Sequence, residues 1–189
     1  DILKKIRSSP INKLLIPALI MLGVGTGIGC NGSAISQPAE PKAKVDYAGF
    51  KDLTAEAGQY RQQRLVELDA FLTLAKDPGT VILDARSESA FKRKHLKGAI
   101  NLNFSDFTAA KLASMIPAKS TRILIYCNNN FEGDTQSFPT KSMPLALNIP
   151  TFINLYGYGY QNIYELATLI AIDDSRLVFE GSEIMSAAK

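Results

Sequence analysis

The sequence predicts an α/β fold in which helices cover both faces of a parallel sheet. Three short apolar segments, "TVILDAR", "RILIYC" and "QNIYEL", are typical of parallel strands, which are apolar without alternation because both of their faces are buried. Segments with helical periodicity lie between them. This alternation favours a doubly wound sheet with right-handed crossovers. We therefore expect residues 81 to 85, 122 to 126 and 162 to 166 to lie parallel in one sheet.

The first predicted helix lies before these strands, in the segment that runs from Leu53 to Gly79. Its apolar positions recur three or four residues apart, at Leu65, Leu68, Leu72 and Ala75. This spacing predicts one amphipathic helix that starts near Thr54 and ends at "DPG".

Three further helices are predicted between and after the strands. Ser87 is a candidate N-cap for "SESAFKRKHL", and Ser105 is a candidate N-cap for "SDFTAAKLASMIP". The third helix, "PLALNIPTFINLYG", contains Pro150, which predicts a kink or a later start, and Gly157 is its candidate C-cap. A short terminal strand is expected in "SRLVFEG".

The first 30 residues differ from the rest of the chain. Four basic residues precede the apolar run "LLIPALIMLGVGTGIG", which is typical of a secretory signal peptide. The run ends in Cys30 after small residues, and this resembles the lipobox of bacterial lipoproteins. That resemblance implies lipidation of Cys30 and a lipid-anchored protein of the periplasm or cell envelope. Ordinary cleavage after Ala34, or an uncleaved anchor, are the alternatives.

Composition bounds the remaining organisation. A chain of 189 residues with 46% hydrophobic residues can bury one good core, so we expect a tether over residues 31 to 50 and one domain over residues 51 to 189. The chain has 21 basic and 18 acidic residues, of which residues 1 to 29 hold four and one, leaving 17 of each. This balance argues against a nucleic-acid partner, because binding to phosphates requires a basic surface.

Cys127 stands directly after the predicted strand "RILIY". In doubly wound sheets, binding and catalytic sites lie where strands end and helices begin. The amides of the following loop and the next helix N-terminus can stabilise a sulfur anion there.

Three blocks of the sequence resemble the rhodanese-like domain family. They are "VILDARSESAFKRKHLKGAINL", "ILIYC" and "GYGYQNIYEL", which occur in family order and span roughly residues 55 to 170. The resemblance implies a parallel sheet flanked by helices and a catalytic cysteine at the end of a strand. Active members carry sulfur as a cysteine persulfide, whereas inactive members bind partner proteins.

The resemblance assigns Cys127 as the catalytic nucleophile and persulfide site. The loop after it is long, and its first charges are Glu132 and Asp134. Carboxylates raise the pKa of a thiol, whereas backbone amides or basic residues lower it, so the net sign stays open. The candidate substrate-binding residues are Asn128, Asn129, Asn130, Phe131 and Gly133, through the amides of residues 128 to 133, together with Lys141 as a cation.

Other candidate residues are expected to be structural. His95 is the one histidine of the chain, which argues against a histidine-based metal site, and its place in the resemblance favours a role in the turn. Asp84 and Arg86 are expected to form an ion pair at a strand end. No cofactor is expected, and the absence of an arginine in the cysteine loop argues against a related phosphatase.

Two functional hypotheses remain. The first is an exported sulfurtransferase or sulfur carrier whose partner is a small anionic sulfur donor. The second is a non-catalytic rhodanese-like module of the cell envelope that binds a partner protein.

Overall fold

The computed structural model describes residues 43 to 187 of the chain. The α-helices within this range are α1 (Tyr47–Arg61), α2 (Leu68–Ala75), α3 (Glu88–Arg93), α4 (Ala109–Met115), α5 (Asn148–Gly157) and α6 (Ser182–Ala187). The strands are β1 (Leu65–Val66), β2 (Thr80–Asp84), β3 (His95–Leu96), β4 (Ile100–Asn101), β5 (Arg122–Tyr126), β6 (Phe131–Glu132), β7 (Ile163–Leu166), β8 (Ile170–Ala171) and β9 (Phe179–Glu180). Short 3-10 helices span Phe104–Asp106, Asn128–Asn130 and Met143–Leu145.

The central sheet has five parallel strands in the order β1-β7-β5-β2-β4. The register places Ile82 beside Leu124, and Ile125 beside Glu165. The expected parallel pairing of the three apolar segments is therefore confirmed, and so is the α/β fold class. Two short pairs lie outside this sheet: β3 with β9, antiparallel, and β6 with β8, parallel.

Both faces of the sheet are buried, as its apolar strands require. Because side chains alternate along a strand, Ile123 and Ile125 point to one face and Leu124 and Tyr126 to the other. The first face packs against residues of α1, α4 and α5. The second packs against α2 and against Phe131 and Phe138 of the loop that follows Cys127.

The prediction of one long helix between residues 53 and 79 is wrong, because the structure has two helices, α1 and α2, with the strand β1 between them. Helix α1 starts earlier, at Tyr47, where the Asp46 side chain accepts a 2.8 Å hydrogen bond from the Gly49 amide. Leu65, which fits the helical period, lies instead in β1 and pairs with β7. The pairing of the two-residue edge strand β1 with β7 thus overrides the helical periodicity of the local sequence. Helix α1 also begins inside residues 31 to 50, the segment predicted to be a tether.

Two other helix boundaries also change. Helix α4 is capped by Thr108, whose hydroxyl accepts from the Lys111 amide at 3.2 Å, whereas Ser105 lies in the preceding 3-10 helix. Helix α5 starts at Asn148, so Pro150 falls in its first turn, where a missing amide costs no helical hydrogen bond. The N-cap at Ser87 is confirmed by a 3.3 Å bond from the Ala90 amide.

The predicted signal peptide and Cys30 lie outside the described residues. Among those that are described, no helix is long and apolar enough to cross a membrane.

Candidate active site

Cys127 lies at the carboxyl end of the central strand β5. Its backbone is extended, with φ −144° and ψ −175°, so its side chain continues the strand's alternation and takes the face of Ile123 and Ile125. This is the face covered by α1 and α5. The residue is 1% exposed and forms no disulfide.

A tight 3-10 turn immediately follows the cysteine and is closed by Asn130. The Cys127 amide donates to Asn130 Oδ1 at 2.9 Å, and the Asn130 amide donates to the Cys127 carbonyl at 3.1 Å. Asn130 Nδ2 then donates to the carbonyls of Leu166 at 2.8 Å and Thr168 at 3.2 Å. One buried amide side chain therefore fixes the cysteine turn against the end of β7.

The backbone amides of Asn129, Leu147 and Asn148 each act to lower the pKa of the Cys127 thiol. Asn129 belongs to the turn, whereas Leu147 and Asn148 are the N-cap and first residue of α5. Amides at a helix start have no acceptor within the helix, so they are free to stabilise a sulfur anion. The sequence suggested amides of residues 128 to 133 as the main group and the start of the next helix as a second source, and two of the three amides come from the helix start.

The pKa of the Cys127 thiol is nevertheless raised above its ordinary value. Burial is the largest cause, because it disfavours the charged thiolate, and the charge of Glu165 adds to it. The amides of Asn148, Asn129 and Leu147 act in the opposite direction but do not reverse the shift. The resting thiol is therefore protonated at neutral pH.

Glu165 and Arg61 form an ion pair on the same face of the sheet. Glu165 is the register partner of Ile125, two residues before Cys127, and strand alternation gives all three side chains the same face. Arg61, from the last turn of α1, donates Nε and Nη2 to the two carboxylate oxygens, each at 2.5 Å. Asn148 Nδ2 adds bonds to Glu165 Oε1 at 3.4 Å and to Asn130 Oδ1 at 3.2 Å.

These residues line one pocket with a volume of about 260 Å³, which we call the thiol pocket. Its polar wall consists of Cys127, Asn129, Asn130, Asn148, Arg61 and Glu165. The remainder is apolar and consists of Leu65, Met143, Ala146, Ile149, Leu166 and Ala167. A small organic molecule fits this mixture of one partly exposed ion pair and an apolar rim.

The two acidic residues of the loop do not line the thiol pocket. Asp134 accepts from Lys94 Nζ at 3.0 Å and from the Ser137 amide at 2.8 Å. Its pKa is lowered: partial burial raises it, but the bonds from Ser137 and Lys94 outweigh burial. Glu132 is exposed in β6. Glu165, in the apolar strand β7, takes the place at the cysteine that we had considered for these loop carboxylates.

Phe131 and Gly133 were expected at the site, but the structure places neither of them in the thiol pocket. The Phe131 side chain is 1% exposed and packs on the opposite face of the sheet, against Tyr126, Phe138 and Phe179. Burial of a phenylalanine side chain contributes about 1.5–3 kcal/mol, so Phe131 anchors the loop. Gly133 serves the loop backbone, since its φ of +92° lies in the region that favours glycine.

Asp84, Arg86 and Tyr126 form a buried network at the end of β2. Arg86 Nη2 donates to Asp84 Oδ2 at 2.6 Å, and the Tyr126 hydroxyl donates to the same oxygen at 2.6 Å. Arg86 also donates to the carbonyls of Ser137 at 2.8 Å and Lys94 at 2.7 Å. The arginine thus joins three chain segments, including the loop after the cysteine.

His95 lies in β3 and contacts its own turn. Its Nδ1 is 2.7 Å from the Phe91 carbonyl, its ring stacks on Phe91 with centroids 3.7 Å apart, and its Nε2 is 3.8 Å from Glu180. It is not among the residues that line the thiol pocket. Within the described range, no group of three or more histidine, cysteine or acidic residues could hold a metal ion.

The structure separates the remaining candidate residues. Asn129 and Asn130 line the thiol pocket with Cys127, whereas Asn128 and Lys141 line a second pocket. Sequence reasoning missed Arg61 and Glu165. A signal existed for one of them, since an acidic residue inside an apolar parallel strand requires a buried partner.

The chain is similar to a known family and to several solved structures. The Rhodanese-like domain family model matches residues 67–167. A rhodanese from E. coli is 18% identical and covers 55% of this chain and 99% of its own, with a TM-score of 0.36. A rhodanese-like domain from Anabaena is 22% identical, and the match covers 64% of this chain and 81% of the Anabaena domain, with a TM-score of 0.44. A protein from Lactobacillus plantarum is 21% identical, and the match covers 70% of this chain and 99% of the other protein, with a TM-score of 0.43.

No curated protein sequence matches the chain at a significant level. The family model alone spans more than half of the 189 residues and includes the strand that carries Cys127. The chain belongs to the rhodanese-like domain family.

Proposed function

We propose that this protein is a sulfur carrier that holds sulfane sulfur as a persulfide on Cys127. The observation that supports this most is the position of the thiol, which lines a pocket at the end of the central strand, close to the start of helix α5. A persulfide anion in the same place is stabilised by the amides of Asn129, Leu147 and Asn148, because each of them favours negative charge on this sulfur.

Loading of the carrier is a sulfur exchange with balanced atoms. The Cys127 sulfur attacks the outer sulfur of an organic persulfide, R–S–SH. A new S–S bond forms, the S–S bond of the donor breaks, and the thiol proton ends on the departing R–SH. Delivery repeats the exchange with an acceptor thiol, and neither direction consumes an oxidant or reductant.

The charges of the thiol pocket favour a donor without a large negative charge. Its one cation, Arg61, is already paired with Glu165, so a dianion such as thiosulfate would enter beside a carboxylate without a free counter-charge. Asn148 Oδ1 is buried without a hydrogen-bond partner, and it can accept from an ammonium or S–H donor of a ligand. In place of the small anionic donor expected from the sequence, we propose a neutral or zwitterionic persulfide.

Sulfur transfer to an acceptor thiol tests this function. The full chain and the Cys127→Ser variant are compared with thiosulfate and with cysteine persulfide as donors, and the sulfur delivered is measured over time. We expect transfer by the wild type, faster from cysteine persulfide than from thiosulfate, and none above background by the variant. Equal transfer by both proteins would rule out Cys127 as the carrier.

A non-catalytic binding module is the second candidate, and the raised pKa of Cys127 favours it. A buried, protonated thiol is a slow nucleophile. Exposed apolar side chains, Met143 and Leu145 among them, stand beside the pocket and suit contact with a protein. Absence of transfer from both donors by the wild type would put this candidate first.

We also propose that the protein is exported and anchored to the membrane by a lipid on Cys30. The support is the basic and apolar leader that ends in Cys30, followed by residues 31 to 46, which are rich in small residues and contain two prolines. Expression in a bacterium should yield a membrane-bound protein whose first residue is a lipidated Cys30. Cys30→Ser should abolish lipidation, and a mature N-terminus at residue 35 would instead indicate ordinary cleavage after Ala34.

A further inference from the structure

A second pocket lies at the carboxyl edge of the sheet, separate from the thiol pocket. It has a volume of about 440 Å³ and is formed where the chain leaves β2, β4 and β5. We call it the basic pocket. Its main polar residues are Arg86, Ser87, Arg93, Ser105, Asn128 and Lys141, and Cys127 is not among its lining residues.

The charge of the basic pocket differs from that of the thiol pocket. Three cations and no acidic residue line it. Arg86 is neutralised by Asp84, but Lys141 forms no ion pair within residues 43 to 187. Arg93 pairs with Glu183, whose Oε1 lies 3.8 Å from Arg93 Nε, and this nitrogen is buried without a hydrogen bond to a described residue. Positive charge is therefore left over at this pocket.

Asn128 supplies an independent sign of a missing ligand. It is 7% exposed, and its Oδ1 is buried without a hydrogen-bond partner. A buried acceptor without a donor costs free energy, and the neighbouring Asn130 shows the usual outcome, since its Oδ1 accepts a hydrogen bond from the Cys127 amide.

We propose that the basic pocket binds a small molecule through an oxyanion group, either a sulfonate or a phosphate. Lys141 and Arg93 supply the counter-charge, the buried Nε of Arg93 donates to an oxygen of the oxyanion, and Asn128 Oδ1 accepts from a donor group on the rest of the ligand. The volume exceeds that of the oxyanion alone, so the ligand has an organic body. Asn128 directly follows Cys127, which makes this a second site on the same turn and one that goes beyond sulfur transfer.

Calorimetric titration of the full chain tests the site. The probes are inorganic phosphate, inorganic sulfate and methanesulfonate, at constant ionic strength adjusted with chloride. We expect saturable binding with a dissociation constant of about 1 mM, weakened about tenfold by Arg93→Gln or by Lys141→Gln. The preferred probe distinguishes a phosphate ligand from a sulfonate ligand.

Lys76→Gln is the matched control, because it removes the same charge from an exposed lysine at the other end of the sheet. It should bind as the wild type does, and so should Cys127→Ser, since the thiol belongs to the other pocket. The proposal is overturned if none of the probes binds, or if Arg93→Gln and Lys141→Gln bind as tightly as Lys76→Gln. A failure of sulfur transfer leaves this result unaffected.

Discussion

Two ion pairs between an arginine and a carboxylate lie near the carboxyl edge of the central sheet, and they differ in how far solvent reaches them. We call the buried pair, Asp84–Arg86, the closed pair, and the partly exposed pair, Glu165–Arg61, the open pair. In the Asp84–Arg86 pair both side chains are buried, and each guanidinium nitrogen of Arg86 has an acceptor. In the Glu165–Arg61 pair the Arg61 side chain is 35% exposed, and its Nη1 makes no hydrogen bond to a described residue. The closed pair joins segments of the fold, whereas the open pair faces a pocket and acts on the thiol inside it.

The largest expected effect comes from opening the closed pair. Arg86→Met leaves the Asp84 carboxylate buried without its counter-charge and removes the links to Ser137 and Lys94. We expect the free energy of unfolding to fall by about 3–5 kcal/mol, measured by urea denaturation. Arg176→Met, which removes an arginine paired with Asp174 at the surface, should change it far less. Equal losses in the two variants would show that burial of the pair does not matter.

Removing the arginine of the open pair should have a smaller effect on stability. Arg61→Gln leaves Glu165 buried, but water can enter from the thiol pocket and solvate the carboxylate. The expected loss in the free energy of unfolding is about 1–2 kcal/mol, again from urea denaturation. A loss as large as that of Arg86→Met would mean that the two pairs are equally closed.

The open pair should also set the reactivity of the thiol. Glu165→Gln removes one cause of the raised pKa of Cys127, so the thiolate fraction rises at mildly alkaline pH. We expect alkylation by iodoacetamide to become about three- to tenfold faster. The matched control is Glu132→Gln, which removes an exposed carboxylate of the loop and should leave the rate unchanged. Acceleration by Glu132→Gln alone would return the loop acids to the role first considered for them.

The smallest expected effect is a pH dependence of stability. Because the pKa of Cys127 is raised in the folded state, the folded protein holds its thiol proton more tightly than the unfolded chain does. The resulting stability is fully present below the pKa of a free thiol, about 8.5, and is lost as the pH rises through the folded-state value. Cys127→Ala should remove that part of the decline in unfolding midpoints measured above this pH. An identical decline in both proteins would contradict a raised pKa.

Features of this fold that depend on interactions between residues close in the sequence are predictable from the sequence, whereas features that depend on distant residues are not. The three longest strands, β2, β5 and β7, and the position of Cys127 are predictable, because continuous apolar runs are a local signal. The split between α1 and α2 is not, since β1 is a two-residue edge strand that exists only by pairing with β7. Local periodicity fits the helix equally well at Leu65.

The composition of the thiol pocket is even less predictable from local sequence. Arg61 and Glu165 are 104 residues apart, and only the sheet register brings them to Cys127. The division of Asn128 from Asn129 arises in a single 3-10 turn, which sends successive side chains to different pockets. Three consecutive asparagines give no sign of that division in the sequence.

The most direct test of the sulfur-carrier proposal is the mass of the protein after incubation with cysteine persulfide. The sequence contains two cysteines, Cys30 and Cys127, so peptide mapping can assign any added sulfur. We expect one sulfur atom on the peptide that contains Cys127, removed by dithiothreitol and absent from Cys127→Ser. Addition of sulfur at Cys30 alone, or no addition at either cysteine, would contradict the proposal that Cys127 carries sulfur.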